Sequence, residues 1–179
     1  MIEINEKTTI EEMGAIVCQA LKDHGIDAFL SGGAVVSIYT ENKYESFDLD
    51  FVSLGDRKKI KAVMETLGFK QDRSRLFIHP HSKYYVEFPG SSIAIGEEII
   101  TEFSDRVIGG NHLKLLTPTD CIKDRLAAFI HWKDKQGLEQ AVLVAQDQPY
   151  NLERIRLFCV TEGSKDAFEQ FHARLKIKK

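Results

Sequence analysis

The chain has 179 residues, of which 43% are hydrophobic, and its 24 Lys and Arg nearly balance 27 Asp and Glu. This length buries one substantial core with a small helical lobe attached. The charge balance excludes attraction of a nucleic acid or an anionic membrane by a strong overall field. The N-terminal residues lack the pattern of a signal peptide and no apolar run reaches membrane-spanning length, so we expect a cytoplasmic protein with no membrane partner.

The first part of the chain predicts the order helix, strand, helix, strand, helix. Thr9 and Glu12 have the spacing of a capping box, which indicates the start of the first helix. Apolar periodicity, with glycine and aspartate at the breaks, places the other elements. The predicted segments are a helix over 10–24, a strand over 27–31, a helix over 34–40, a strand over 46–54 and a helix over 57–67.

Two strand pairs and a helical region follow. Segments 75–79 and 83–88 are rich in aromatic and β-branched residues and predict an antiparallel pair, and 106–116 predicts two strands about a Gly-Gly-Asn turn. From Thr117 onward, helix-start signals and apolar periodicity predict about three or four helices. We therefore expect an α+β fold. It comprises a mixed β-sheet with flanking helices in residues 1–116 and a C-terminal helical bundle in residues 117–179.

Two aspartates interrupt the second predicted strand. Because side chains alternate along a strand, Asp48 and Asp50 face the same side. Phe47, Leu49 and Phe51 are expected on the opposite, packed side. Paired carboxylates repel each other unless a cation lies between them, and hard oxygen ligands suit Mg²⁺. The alternative is that both aspartates face solvent on a one-sided sheet.

Neighbouring segments favour a binding site over a plain solvent face. Gly32 and Gly33 allow the backbone to approach a ligand closely, and the helix that follows presents free N–H groups to phosphate. Ser31 adds a hydroxyl at the same corner. Glu87 lies between apolar residues of another predicted strand and supplies a third carboxylate, as two-metal chemistry requires. These features together predict a nucleoside triphosphate site with magnesium.

The motifs Gly32-Gly33, Asp48-Leu49-Asp50 and Glu87 resemble the signature of the DNA polymerase β-like nucleotidyltransferase superfamily, particularly its small prokaryotic members. The resemblance covers about residues 25 to 146. The helical run after Leu115 is similar to that of toxin-type and uncharacterised bacterial members. Two features depart from the family pattern: residues 34–47 form a long spacer, and the third acid is Glu where the family more often has Asp.

The resemblance implies an Mg²⁺-dependent enzyme. It would transfer a nucleoside monophosphate from an NTP to a hydroxyl of an unidentified acceptor (RNA, protein or small molecule) and release pyrophosphate. Two Mg²⁺ ions would be held by the carboxylates, and residues 31–33, here called the glycine corner, would hold the phosphates. The residues implied are Asp48, Asp50 and Glu87 for the metal ions and for catalysis, and Ser31, Gly32 and Gly33 for the nucleotide.

Two basic residues of the helix after the sheet are further candidates. Lys123 and Arg125 would reach the triphosphate from the other side of a cleft, or else they are solvated charges on an exposed helix face. At the level of function, the rival hypothesis is a binding or regulatory module that keeps the fold without catalysis. The intact set of three carboxylates argues against that rival.

Overall fold

The computed structural model describes residues 3–73, 76–90 and 92–177. The first residue of the predicted strand 75–79 therefore lies outside the described residues. The helices are α1 (Ile10–Asp23), α2 (Gly32–Tyr39), α3 (Arg57–Thr66), α4 (Pro118–Trp132), α5 (Lys135–Asp147), α6 (Leu152–Thr161) and α7 (Lys165–Ile177). The strands are β1 (Ala28–Ser31), β2 (Asp48–Ser53), β3 (Lys70–Gln71), β4 (Phe77–Ile78), β5 (Tyr85–Glu87), β6 (Ala94–Ile95), β7 (Glu98–Ile99), β8 (Phe103–Ile108) and β9 (Asn111–Leu116).

Seven strands form one mixed sheet in the order β3-β4-β5-β2-β1-β9-β8. Its centre combines an antiparallel β1–β2 pair with parallel pairs β2–β5 and β1–β9. The predicted antiparallel pairs β4–β5 and β8–β9 are confirmed. Strands β6 and β7 form a separate hairpin. The sequence did not predict this hairpin, because two-residue strands are too short to show a period.

Helix α1 covers one face of the sheet. It begins at the predicted capping box of Thr9 and Glu12. A Cβ atom at Gly14 of α1 would lie 3.2–3.7 Å from side-chain atoms of Leu113, Leu30 and Leu49, so helix and sheet are in close contact there. Because side chains alternate along β1 and β2, the residues next to these leucines face away from α1.

The apolar side of β2 differs from the prediction at one residue. Leu49 and Phe51 are fully buried, as expected, but Phe47 is 41% exposed. Phe47 precedes the first residue of β2 and stacks on Tyr84 with ring centroids 6.3 Å apart, close to the ammonium of Lys83. Phe47 therefore lies on the predicted side, away from Asp48, but that side is not buried at residue 47.

The described residues from 117 to 177 form four helices and no strand. Helix α4 begins as predicted, with the Thr117 hydroxyl accepting a hydrogen bond from the Asp120 N–H and Pro118 in the first turn. Helices α4 and α5 pack against each other and against α2, so the helical part shares one apolar core with the sheet. Among the described residues, none of the helices has the length and apolar character needed to cross a bilayer.

The three cysteines lie in α1, α4 and α6, and all are buried. Burial raises the pKa of Cys18 and Cys121, and it raises the pKa of Cys159 to about 11. A thiol with a raised pKa is a poor nucleophile at neutral pH. The cysteines are therefore apolar packing groups of the core.

Candidate functional site

Three predicted site residues form a row across the centre of the sheet. Ser31 of β1 lies opposite Asp50 of β2, and Asp50 lies opposite Glu87 of β5. Residues in register on neighbouring strands share a face, so the three side chains project from one side. Asp48 projects from the same side two residues earlier. The sheet therefore collects the three carboxylates on the face opposite α1.

Tyr85 belongs to the same face, although the sequence analysis did not single it out. It lies in register with Asp48 and is 36% exposed. Strand alternation counted back from Glu87 places Tyr85 on this face, so the sequence pattern could have identified it. The phenol therefore borders the carboxylates at the start of β5.

The carboxylates carry more negative charge than their surroundings neutralise. The pKa of Asp50 is raised to about 6, first by burial and then by the charges of Asp48 and Glu87. Arg125 of α4 lowers this pKa, but it does not cancel the other effects. A cation bound between these groups would relieve the repulsion, because it favours the ionised forms.

The raised pKa of Asp50 predicts how stability depends on pH in the metal-free protein. A carboxyl with a raised pKa in the folded state contributes stability that is fully present below about pH 4 and is lost as pH rises through about 6. Asp50→Asn is therefore expected to increase the free energy of unfolding at pH 7.5, by an amount on the order of 2–3 kcal/mol. Urea unfolding at pH 4, 6 and 7.5 measures this, and an equal effect at all three pH values would contradict it.

The glycine corner between β1 and α2 is shaped around Asp50. Gly32 has φ of +70°, and a Cβ atom there would collide with the Asp50 carboxylate. The Ser31 hydroxyl donates to the Asp50 carbonyl oxygen at 3.1 Å and does not cap α2. Ser31 therefore leaves the first-turn N–H groups of α2 without a hydrogen bond from the N-cap side chain, and such groups at a helix N-terminus suit an anion.

Gly32→Ala is expected to destabilise the protein by at least about 2 kcal/mol, because left-handed strain and the collision with Asp50 add. Gly25→Ala is the matched control. Gly25 has φ of +69°, and a Cβ atom there would meet no atom within 4 Å. Urea unfolding of both variants separates the two contributions. Equal losses would show that Asp50 does not restrict residue 32.

The two predicted basic residues, Lys123 and Arg125, have different surroundings in the structure. Lys123 is 1% exposed, and its ammonium lies 2.7 Å from carboxylate oxygens of both Asp120 and Glu98. We therefore leave Lys123 out of the nucleotide site. The sequence could not show this, because Glu98 lies 25 residues away on the hairpin. Arg125 lies close enough to Asp50 to lower its pKa, so it remains a candidate.

No protein-family model and no curated protein matches the chain, whereas solved structures match its fold. An antigenic nucleotidyltransferase-like protein from Paracoccidioides brasiliensis superposes with a TM-score of 0.58 at 14% identity, over 79% of this chain and 78% of that one. The chain has a nucleotidyltransferase-like fold. Two structures of ANT(2'')-Ia, an antibiotic-resistance factor, agree. The solution structure gives a TM-score of 0.53 at 15% identity, over 94% and 97% of the two chains. The crystal structure with adenylyl-2''-tobramycin gives 0.52 at 15% identity, over 88% and 94%.

The nucleotidyltransferase-like fold confirms the predicted α+β class and raises the question of a metal ion. Among the described residues, no group of three or more Asp, Glu, His or Cys side chains forms a ready-made metal site. Mg²⁺ is usually bound through one or two carboxylates together with substrate phosphates, so it does not need such a site. The oxygens of Asp48 and Asp50, on one face and with a repulsion that a cation relieves, fit this mode of binding.

Proposed function

We propose that the protein is an Mg²⁺-dependent nucleotidyltransferase that moves a nucleoside monophosphate from an NTP to an acceptor hydroxyl and releases pyrophosphate. The observation that carries the proposal is the row Ser31, Asp50 and Glu87, with Asp48 beside it. This row meets the N-terminus of α2, which the Ser31 side chain does not cap, in a nucleotidyltransferase-like fold. Carboxylates for metal ions and N–H groups for phosphates are thus adjacent.

Each part of the site has a role in this proposal. Asp48 and Asp50 hold Mg²⁺, and Glu87 adds a carboxylate from the neighbouring strand. The ions, when bound, neutralise the triphosphate and lower the pKa of the acceptor hydroxyl. Gly32 and Gly33 let the first turn of α2 approach the phosphates, and Arg125 adds a positive charge from α4. The rate gain then comes from positioning and charge neutralisation.

The acceptor is a hydroxyl of an RNA, a protein or a small molecule. A small molecule has a precedent in the same fold, because ANT(2'')-Ia was solved with adenylyl-2''-tobramycin. Tyr85 is an exposed side chain beside the carboxylates and is available to contact it. It supplies a flat apolar ring and a hydrogen-bonding hydroxyl.

The test is thermal unfolding with each of the four NTPs, with and without Mg²⁺. A ligand that binds only the folded state raises the unfolding temperature by mass action. At least one NTP is expected to stabilise the protein in the presence of Mg²⁺, and Mg²⁺ alone is expected to have a smaller effect. If no nucleotide stabilises the protein, the proposal fails and the binding-module hypothesis replaces it.

A further inference from the structure

An adjacent pair of opposite charges on α4 lies beside the carboxylates. The Arg125 guanidinium donates to Asp124 Oδ2 from both Nε and Nη2, the Nε bond being 3.0 Å long. Its third contact runs from Nη1 to the side-chain oxygen of Gln140 on α5, at 3.3 Å. The side chains of Arg125 and Asp124 are 17% and 24% exposed. The pair is thus partly shielded but reachable from solvent.

The two charges of this pair act on Asp50 in opposite directions. Arg125 lowers the pKa of Asp50 and Asp124 raises it. Helix α4 packs against α2, whose first turn forms the glycine corner. The pair therefore borders the site from the helical part of the molecule.

In this arrangement the guanidinium is occupied by Asp124. An arginine fork recognises a carboxylate and a phosphate with the same geometry, so the two compete for Arg125. A triphosphate carries more negative charge than one carboxylate, and a phosphate therefore has the advantage once it is bound nearby. Gln140 is 3% exposed and makes no ion pair, so its contact with Nη1 can persist while Asp124 is replaced.

We propose that Asp124 occupies Arg125 in the nucleotide-free protein and that the bound triphosphate displaces it, while Gln140 holds the guanidinium in place. This proposal rests on the proposed function and adds a competition within the same site. Asp124 then lowers the apparent affinity for nucleotide, because only molecules with a free Arg125 are competent to bind fully. Its carboxylate becomes free only after the nucleotide has bound.

The experiment measures the affinity for the NTP that stabilises the wild-type protein most, in Mg²⁺, by isothermal titration calorimetry. Asp124→Asn is expected to bind roughly three- to ten-fold tighter, as release of a partly exposed ion pair allows. Arg125→Gln is expected to bind more weakly. Arg125→Lys should recover only part of the loss, because it keeps the charge and loses the fork.

A double variant distinguishes competition for Arg125 from a general effect of charge. In the Arg125→Gln background, Asp124→Asn is expected to give no gain, because the guanidinium is absent. Asp147→Asn is the control, since it removes a carboxylate of α5 that pairs with Lys43. It should leave the affinity unchanged.

Two results would overturn the proposal while leaving the proposed function intact. One is a gain from Asp124→Asn that persists without Arg125, and the other is weaker binding by Asp124→Asn alone. The first would show that Asp124 acts only through its field, and the second that Asp124 itself contacts the metal ion or the nucleotide. Absence of nucleotide binding by the wild-type protein would instead reject the proposed function and this competition together.

Discussion

The Asp48→Asn, Asp50→Asn variant is expected to lose all Mg²⁺-dependent stabilisation by nucleotide while remaining folded. Asparagine keeps the shape of the side chain and removes the charge that a metal ion needs. The repulsion that raises the pKa of Asp50 is removed at the same time, so the variant should unfold at an equal or higher temperature without ligand. Thermal unfolding with and without Mg²⁺ and nucleotide measures both effects.

Asp27→Asn is the matched control for this loss. Asp27 directly precedes β1, whereas Ser31 is the last residue of that strand. The Asp27 carboxylate pairs with Lys114 at 2.9 Å. Its carboxylate is 82% exposed, so its removal should change neither stability nor nucleotide binding appreciably. Retained nucleotide binding in the Asp48, Asp50 variant would show that the nucleotide binds elsewhere. Loss in both variants would point to a nonspecific effect of charge.

Lys123→Ala is expected to destabilise the protein by about 3 kcal/mol, because it leaves a buried carboxylate without its main partner. The side chain of Asp120 is 2% exposed. Arg154, at 3.4 Å from Asp120, compensates in part, and for this reason we expect the low end of the usual range. Nucleotide affinity should stay unchanged in molecules that remain folded. Urea unfolding and calorimetry measure the two quantities.

A second variant tests the same buried pair without leaving an unpaired charge. Lys123→Met combined with Asp120→Asn removes both charges and is expected to be more stable than Lys123→Ala. Lys61→Ala is the control, because Lys61 is half exposed and lies 3.8 Å from Glu65. A loss of nucleotide affinity in Lys123→Ala, without a loss of stability, would return Lys123 to the nucleotide site.

Local patterns in the sequence predicted most of the fold. The capping box at Thr9, the Asp56 cap and the Thr117 cap each mark a helix start that the structure has. Such signals depend on residues three or four apart, and they are visible without tertiary information. The placement of Asp48 and Asp50 on one face follows from strand period alone, and the structure agrees.

Other features depended on contacts between distant residues. The partners of Lys123 come from a hairpin and from its own helix, and no local pattern distinguishes a paired lysine from a solvated one. Gln140 reaches Arg125 across two helices because Gly137 lets α5 approach α4; a Cβ atom there would lie 2.6 Å from the Arg125 carbonyl oxygen. Helix packing of this kind is decided by tertiary structure.

The site also shows where stability and function diverge. Burial and like charge around Asp50 cost stability at neutral pH, and Gly32 takes a left-handed backbone beside it. Buried like charges are unfavourable in an ordinary strand, and a left-handed backbone is unfavourable in an ordinary turn. Such departures are expected where a site binds a charged ligand.

Binding of a divalent metal ion between Asp48 and Asp50 is tested with Mn²⁺ in place of Mg²⁺ together with a non-hydrolysable NTP analogue. Bound Mn²⁺ broadens the NMR signals of nearby nuclei, and a 20.4 kDa chain is small enough for amide spectra. We predict that broadening is strongest at residues 31–34, 48–50 and 85–87 and near Arg125, and that it decreases with distance from them. Broadening that is strongest elsewhere, or no broadening at concentrations that saturate the thermal shift, would show that the metal ion does not bind at these carboxylates.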